Sequence, residues 1–157
     1  MHPAASEDGL TSYCFEDLQV GMQGVYRRVI TQGDVELFAQ VSGDINPLHL
    51  DEAFAGRTMF EGRIVHGMYT AAMISAVIGT RMPGPGCIYM SQNLRFMAPV
   101  RAGDEVVASV TVAELFSAKR RAKMDTECRV GDKVVLKGDA LILVPTREQL
   151  DALGDAG

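Results

Sequence analysis

The sequence predicts an α+β domain in which antiparallel strands wrap a single buried helix, and three observations carry that reading. The stretch Met68 to Gly79, MYTAAMISAVIG, is apolar almost all the way round, which marks a helix enclosed by the protein rather than one lying on its surface. After a break at Pro83 to Pro85, four segments suited to strands follow in succession. The chain has 157 residues, 47% of them hydrophobic and 22% charged, which is the composition of one ordinary globular domain.

The elements follow in order along the chain. Residues 1–12 are small and polar without periodicity and are expected to form a flexible arm, with the domain running over 13–145. Val25 to Ile30 predicts a short strand after a turn at Val20-Gly21. Thr31 then predicts an N-cap, with Asp34 three residues on as the carboxylate of a capping box. Val35, Phe38, Ala39 and Ser42 recur at helical spacing up to Gly43. From Gly43 to Met68 no period persists, so loops and single helical turns are expected, the kind of region in which sites are usually built. The buried helix comes next, with Gly79 as its predicted C-cap. Strands are expected at Ile88 to Phe96, Asp104 to Phe116, Lys123 to Val130 and Lys133 to Val144, the last three as a meander. The polar tail, 146–157, is expected to fray.

Composition excludes several functions. Fifteen Lys and Arg against twenty Asp and Glu leave a net charge of −5, whereas binding to nucleic acid is built on a cationic surface. The longest mostly apolar stretch, Ala71 to Gly79, falls far short of the roughly 18–20 residues that cross a bilayer, so no membrane is expected as partner. Cys14, Cys87 and Cys128 lack CxxC or CxxxC spacing and read as buried free thiols. No cationic start followed by an apolar core precedes the domain, so a cytoplasmic protein is expected.

Chemistry gathers in SGDINPLH, where Asp44, Asn46 and His49 lie close together. In a continuous helix Asp44 and His49 would point roughly 140° apart, too divergent to share one water. Pro47 prevents that helix, because the residue before a proline is pushed out of the helical region. A turn at Asn46-Pro47 allows the two side chains to converge, and a converging Asp/His pair can polarise a water or accept and return a proton. An Asp acting as a cap and a His satisfied by a carbonyl account for the same residues. A metal site is less favoured: the three histidines, His2, His49 and His66, have no HxH or HExxH spacing.

The string FAQVSGDINPLHLDEAFA, Phe38 to Ala55, resembles the signature of the MaoC-like hydratases, the (R)-specific enoyl-CoA hydratases. Phe60-x-x-x-Ile64-Val65-His66-Gly67-Met68, the Ile88 to Phe96 segment and Pro99-Val100-x-x-Gly103-Asp104 resemble the same family in the same order. The resemblance implies a hotdog fold, a curved antiparallel sheet around one long helix, and a homodimer with the acyl tunnel at the interface. It implies that Asp44 and His49 are the catalytic pair that adds water to a trans-2-enoyl-CoA, giving an (R)-3-hydroxyacyl-CoA. Coenzyme A enters as part of the substrate, and no metal or redox cofactor is implied.

It also implies that the backbone N–H of Gly67, at the start of the buried helix, receives the thioester oxygen as enolate charge develops. A tight entry into the helix is the bland account of the same glycine. Asn46 matches a position that shapes the turn and orients the pair at the substrate. Ser75 matches one that contributes a hydroxyl near the thioester, although a bond back to the Ala71 carbonyl explains it equally. His66 reads as a satisfied structural histidine. Met59, Met68, Met73, Met82, Met90 and Met97 suit either an adaptable acyl tunnel or core filling. Lys119, Arg120, Arg121 and Lys123 read first as a solvated hairpin tip, and Arg57, Arg63, Arg81 and Arg95 compete with them for coenzyme A phosphates. A hotdog thioesterase, a dehydratase acting on acyl-carrier-protein substrates and a silent acyl-CoA-binding domain are the competing readings.

Overall fold

The structure, a computed structural model, describes residues 9–154; most of the N-terminal arm and the last three residues lie outside them. Five strands, β1 (Gln23–Val29), β2 (Ile88–Phe96), β3 (Glu105–Phe116), β4 (Arg121–Val130) and β5 (Lys133–Leu143), form one antiparallel sheet. Their order is β1-β3-β4-β5-β2, so β1 and β2 are open edges. Register sets Tyr26 opposite Ala108, Val110 opposite Thr126 and Leu94 opposite Gly138. Gly138 is required there, since a Cβ on it would lie 1.7 Å from the Asn93 carbonyl oxygen.

Alternation decides which face of the sheet is buried. Val106, Ala108, Val110 and Val112 of β3, with Ala122, Met124, Thr126 and Cys128 of β4, point inward, while the residues between them are exposed or half-buried. They meet Met73, Ile74, Val77 and Ile78 of the long helix α4, for which the chain order α1 (Gln32–Ser42), α2 (Pro47–Leu50), α3 (Glu52–Ala55), α4 (Gly67–Thr80) applies. Because α4 packs against β1, β2, β3 and β4, the sheet must curl around it. Irregular register at Tyr89/Ser91, Val112/Glu114 and Cys128/Arg129 supplies the bends.

Four expectations need correction. The helix runs one residue beyond Gly79, which sits inside it, and Arg81 is the C-cap. Nor is it enclosed on every side, because Met68, Ala72, Ser75 and Gly79 form one exposed line along it within this single chain. The tail, expected to fray, carries a fifth helix, α5 (Arg147–Gly154). A reciprocal cap holds its start: Gln149 N–H donates to Thr146 Oγ1 at 3.2 Å, and Thr146 N–H to Gln149 Oε1 at 3.0 Å. At the other end, Thr11 N–H donates to the Thr80 carbonyl at 2.8 Å, so order begins slightly before residue 13.

Candidate active site

Local backbone chemistry delivers Asp44. Helix α1 starts on the predicted capping box of Thr31 and Asp34 and ends at Gly43, whose φ of 79° turns the chain out of the helix. Asp44 N–H donates to Ser42 Oγ at 3.1 Å, and Asp44 Oδ1 accepts from Asn46 N–H at 3.2 Å. Asn46 is the N-cap of α2: its Oδ1 accepts from Leu48 N–H at 3.0 Å, and Pro47 occupies the first helical position. The turn forced at Asn46-Pro47 thus folds Asp44 back over the short helix that carries His49.

His49 is 7% exposed. Its Nδ1 lies 2.8 Å from the Ile64 carbonyl oxygen. A carbonyl can only accept, so Nδ1 carries the proton and Nε2 keeps a free lone pair. Burial lowers the His49 pKa below 6.5, and His66 pushes it the same way, while the Ile64 hydrogen bond and the Asp44 carboxylate oppose the shift. The imidazole is therefore held neutral, the form a general base needs.

His66, 1% exposed, is the N-cap of α4 and donates from Nε2 to the backbone carbonyl of Asp44 at 2.9 Å. Its ring stacks on His49 with centroids 3.8 Å apart and leans on Phe38. Ligand atoms of Asp44, His49 and His66 all lie within 4.8 Å of one another. A metal needs imidazole lone pairs converging on one point about 2.1 Å away. Here one nitrogen of each ring is already committed to a backbone carbonyl, which leaves a single lone pair apiece beside the Asp44 carboxylate, a set able to hold a water.

A cleft of about 510 Å³ opens beside these groups, within the range of small-molecule sites. Its polar end holds Asp44, His66, Gly67 and Thr70, and its walls are apolar, among them Phe60, Val100, Val135 and Leu136. Gly67 is the first residue of α4, so its N–H has no intrahelical acceptor. A Cβ at Gly67 would stand 2.7 Å from the ring of Phe96, which lines the same cleft and is 55% exposed. Only a glycine lets that ring close over the start of the helix.

The predicted residues divide. Asp44 and Gly67 line the cleft, whereas His49 does not line it and lies behind, with a ring nitrogen within 4.8 Å of the ligand atoms of Asp44 and His66. Asn46 caps α2, is exposed and does not line the cleft, so its part is to shape the turn. Ser75 lies on the exposed line of α4, two turns from Gly67, makes no hydrogen bond to Ala71 among the described residues, and does not line the cleft of this single chain. Of the methionines, Met59, Met68 and Met97 line the cleft, Met73 and Met82 are core, and Met90 is exposed on β2. Arg63 is paired with Glu52 at 2.9 Å, and Arg81 stacks over Tyr26. All three cysteines are free; Cys14 and Cys128 are buried and Cys87 half-buried. Sequence reasoning missed His66 as a neighbour of the site: the only signal was its place beside Gly67, because the contact with Asp44 spans 22 residues.

Comparison with known proteins places the arrangement. A family model described as MaoC like domain matches residues 18–136. The chain is 55% identical to a 3-hydroxybutyryl-CoA dehydratase of Methylorubrum extorquens over 139 residues, 88% of each chain. It is 47% identical to an (R)-specific enoyl-CoA hydratase of Rhodospirillum rubrum over 142 residues, 90% of this chain and 99% of the relative. The unliganded R-hydratase PhaJ1 from Pseudomonas aeruginosa superposes with a TM-score of 0.82 at 43% identity, covering 87% of this chain and 88% of that one.

Proposed function

Since the chain belongs to the MaoC-like domain family, we propose that it is a hydro-lyase of the hotdog fold that adds water reversibly to trans-2-enoyl-CoA, giving (R)-3-hydroxyacyl-CoA. The observation that carries this is an apolar cleft lined by Asp44 and by Gly67 at the start of α4, with neutral His49 holding a ring nitrogen within 4.8 Å of the Asp44 carboxylate. The names of the relatives support both directions, hydration and dehydration, as expected for one reversible step.

The geometry supports a mechanism with one water between Asp44 and His49. As the water oxygen bonds to C3, Nε2 of His49 takes its proton. The C2–C3 electron pair moves toward the thioester, and the Gly67 N–H stabilises the charge that develops on the carbonyl oxygen. The proton then returns through the Asp44/His49 pair to C2, leaving the thioester intact. No metal or redox group enters this scheme, and coenzyme A takes part only as the carrier of the acyl group.

A second copy of the chain completes the reading. The open edge of β2 exposes Ile88, Met90 and Phe96, and the line Met68, Ala72 and Ser75 on α4 is also uncovered. We place the homodimer interface across them, which would enclose the mouth of the cleft and bring Ser75 into covered surroundings. Three free thiols support a reducing, cytoplasmic setting. The function is tested by following the conjugated-thioester absorbance of crotonyl-CoA with purified protein: consumption that Asp44→Asn abolishes is expected, and persistence of the absorbance in the wild type would refute it.

A further inference from the structure

Two buried polar atoms in the cleft wall have no hydrogen-bond partner among the described residues: His66 Nδ1 and Thr70 Oγ1. Both residues are among those that line the cleft, one helical turn apart at the start of α4, and Thr70 is only 3% exposed. A buried hydroxyl on a helix can be satisfied by bonding back one turn. Thr80, on the same helix, donates to the Ala76 carbonyl at 2.5 Å, and Ser42 donates to Phe38 at 2.6 Å. Thr70 forgoes that bond although its own N–H reaches the His66 carbonyl at 3.3 Å.

The needs of the two atoms are complementary. His66 Nε2 faces a carbonyl, which can only accept, so the tautomer that satisfies it carries the proton on Nε2 and offers Nδ1 as an acceptor. Thr70 Oγ1 has a hydrogen to donate. An unsatisfied buried polar group is costly, and two together in an apolar wall call for a guest that satisfies both. A neutral hydroxyl does so without bringing a charge: it donates to Nδ1 and accepts from Oγ1.

We propose that His66 and Thr70 form a second polar subsite in the cleft, distinct from the Asp44/His49 pair, which binds one neutral hydroxyl. That hydroxyl is either a resident water or an alcohol carried on the substrate's acyl chain beyond C3. The acyl source rests on the proposed hydratase activity; the site itself does not.

The test uses wild type, Thr70→Val, which keeps the shape and removes the hydroxyl, and Thr70→Ser, which restores it. Crystal structures are determined with and without bound acyl-CoA. Hydration is measured on trans-2-enoyl-CoA chains of four to six carbons, each with and without a terminal hydroxyl. The subsite predicts an oxygen within hydrogen-bond distance of both His66 Nδ1 and Thr70 Oγ1 in wild type and Thr70→Ser but not in Thr70→Val. If the oxygen is present without ligand and persists with a plain chain, it is water, and Thr70→Val lowers kcat/KM on plain and hydroxylated chains alike. If it belongs to the acyl chain, wild type favours the hydroxylated chain of one length by about tenfold, the worth of one hydrogen bond, and Thr70→Val brings that ratio to about one. No shared oxygen in any form, or a Thr70 hydroxyl turned directly onto Nδ1, overturns the proposal. An oxygen in place in a protein that hydrates nothing would instead leave the subsite standing and remove the hydratase reading.

Discussion

His49 and His66 stack with ring centroids 3.8 Å apart, and each gives its one ring proton to a backbone carbonyl, of Ile64 and of Asp44 respectively. The stack joins the two blocks that the proposed mechanism uses, since His66 grips the loop that presents Asp44 while its ring backs His49, the proposed base. It also fixes the sign of a pH effect. Charging His49 would place a cation against its neighbour in a poorly solvated site.

Hydration should therefore persist on acidification past the ordinary histidine range. Burial and His66 hold the His49 pKa below 6.5, so the acid limb of kcat/KM is expected to have its midpoint below that value. The stability effect has a definite sign as well: below pH 6.5 the unfolded chain takes up a proton the native site resists, so native His49 costs stability as pH falls. The resistance of wild type to urea should fall from pH 7 to 5.5 more than that of His49→Gln, and an equal response would contradict a depressed His49.

Asp44→Asn and His49→Ala are each expected to reduce hydration by about 10²–10⁴-fold, the usual worth of a general acid–base group. Asp44 is exposed and His49 sits on a single short turn, so circular dichroism should show folded protein in both. Because the two groups are read as sharing one water, the double variant should be little worse than either single one. Multiplying losses would mean independent roles.

Gly67 allows its N–H to be removed with little damage to the helix. It is the first residue of α4, where proline is tolerated, and His66 before it has φ −55° and ψ 130°, a conformation that proline favours in its predecessor. Gly67→Pro is expected to lower kcat by about 10²–10³-fold through loss of one oxyanion donor. Gly67→Ala keeps the donor but pushes Phe96 aside. Its loss should be much smaller, and equal losses in the two variants would assign the effect to crowding by Phe96.

The proposed dimer predicts a mass in light scattering of twice the 17.0 kDa chain. Met90→Lys places a charge on the open β2 edge, the device by which edge strands resist pairing. It should yield monomer with unchanged secondary structure. A monomeric wild type would remove the interface.

The strands were legible almost to the residue, because alternation is a local signal and the turns between them carry Gly, Asp or a basic cluster. Helix α1 was legible through the Thr31/Asp34 capping box. Helix α5 was not, although Thr146 and Gln149 form the same kind of box, because a short polar segment at a chain end shows no buried face. The exposed line on α4 was hidden for a different reason. Met68, Ala72, Ser75 and Gly79 are as apolar or small as the residues that pack inward, so composition could not tell a core face from an uncovered one. At the site, Asp44 and His49 were within reach of motif reasoning, whereas the contribution of His66 depends on a stacking contact that no spacing rule encodes.

The most direct test identifies the product. Purified protein incubated with crotonyl-CoA should reach an equilibrium mixture of crotonyl-CoA and 3-hydroxybutyryl-CoA, of R configuration by chiral chromatography, with no free thiol released. Water attacking C3 leaves the thioester intact. Coenzyme A thiol accumulating in step with substrate loss, and abolished by Asp44→Asn, would show attack at the carbonyl carbon instead and contradict the account.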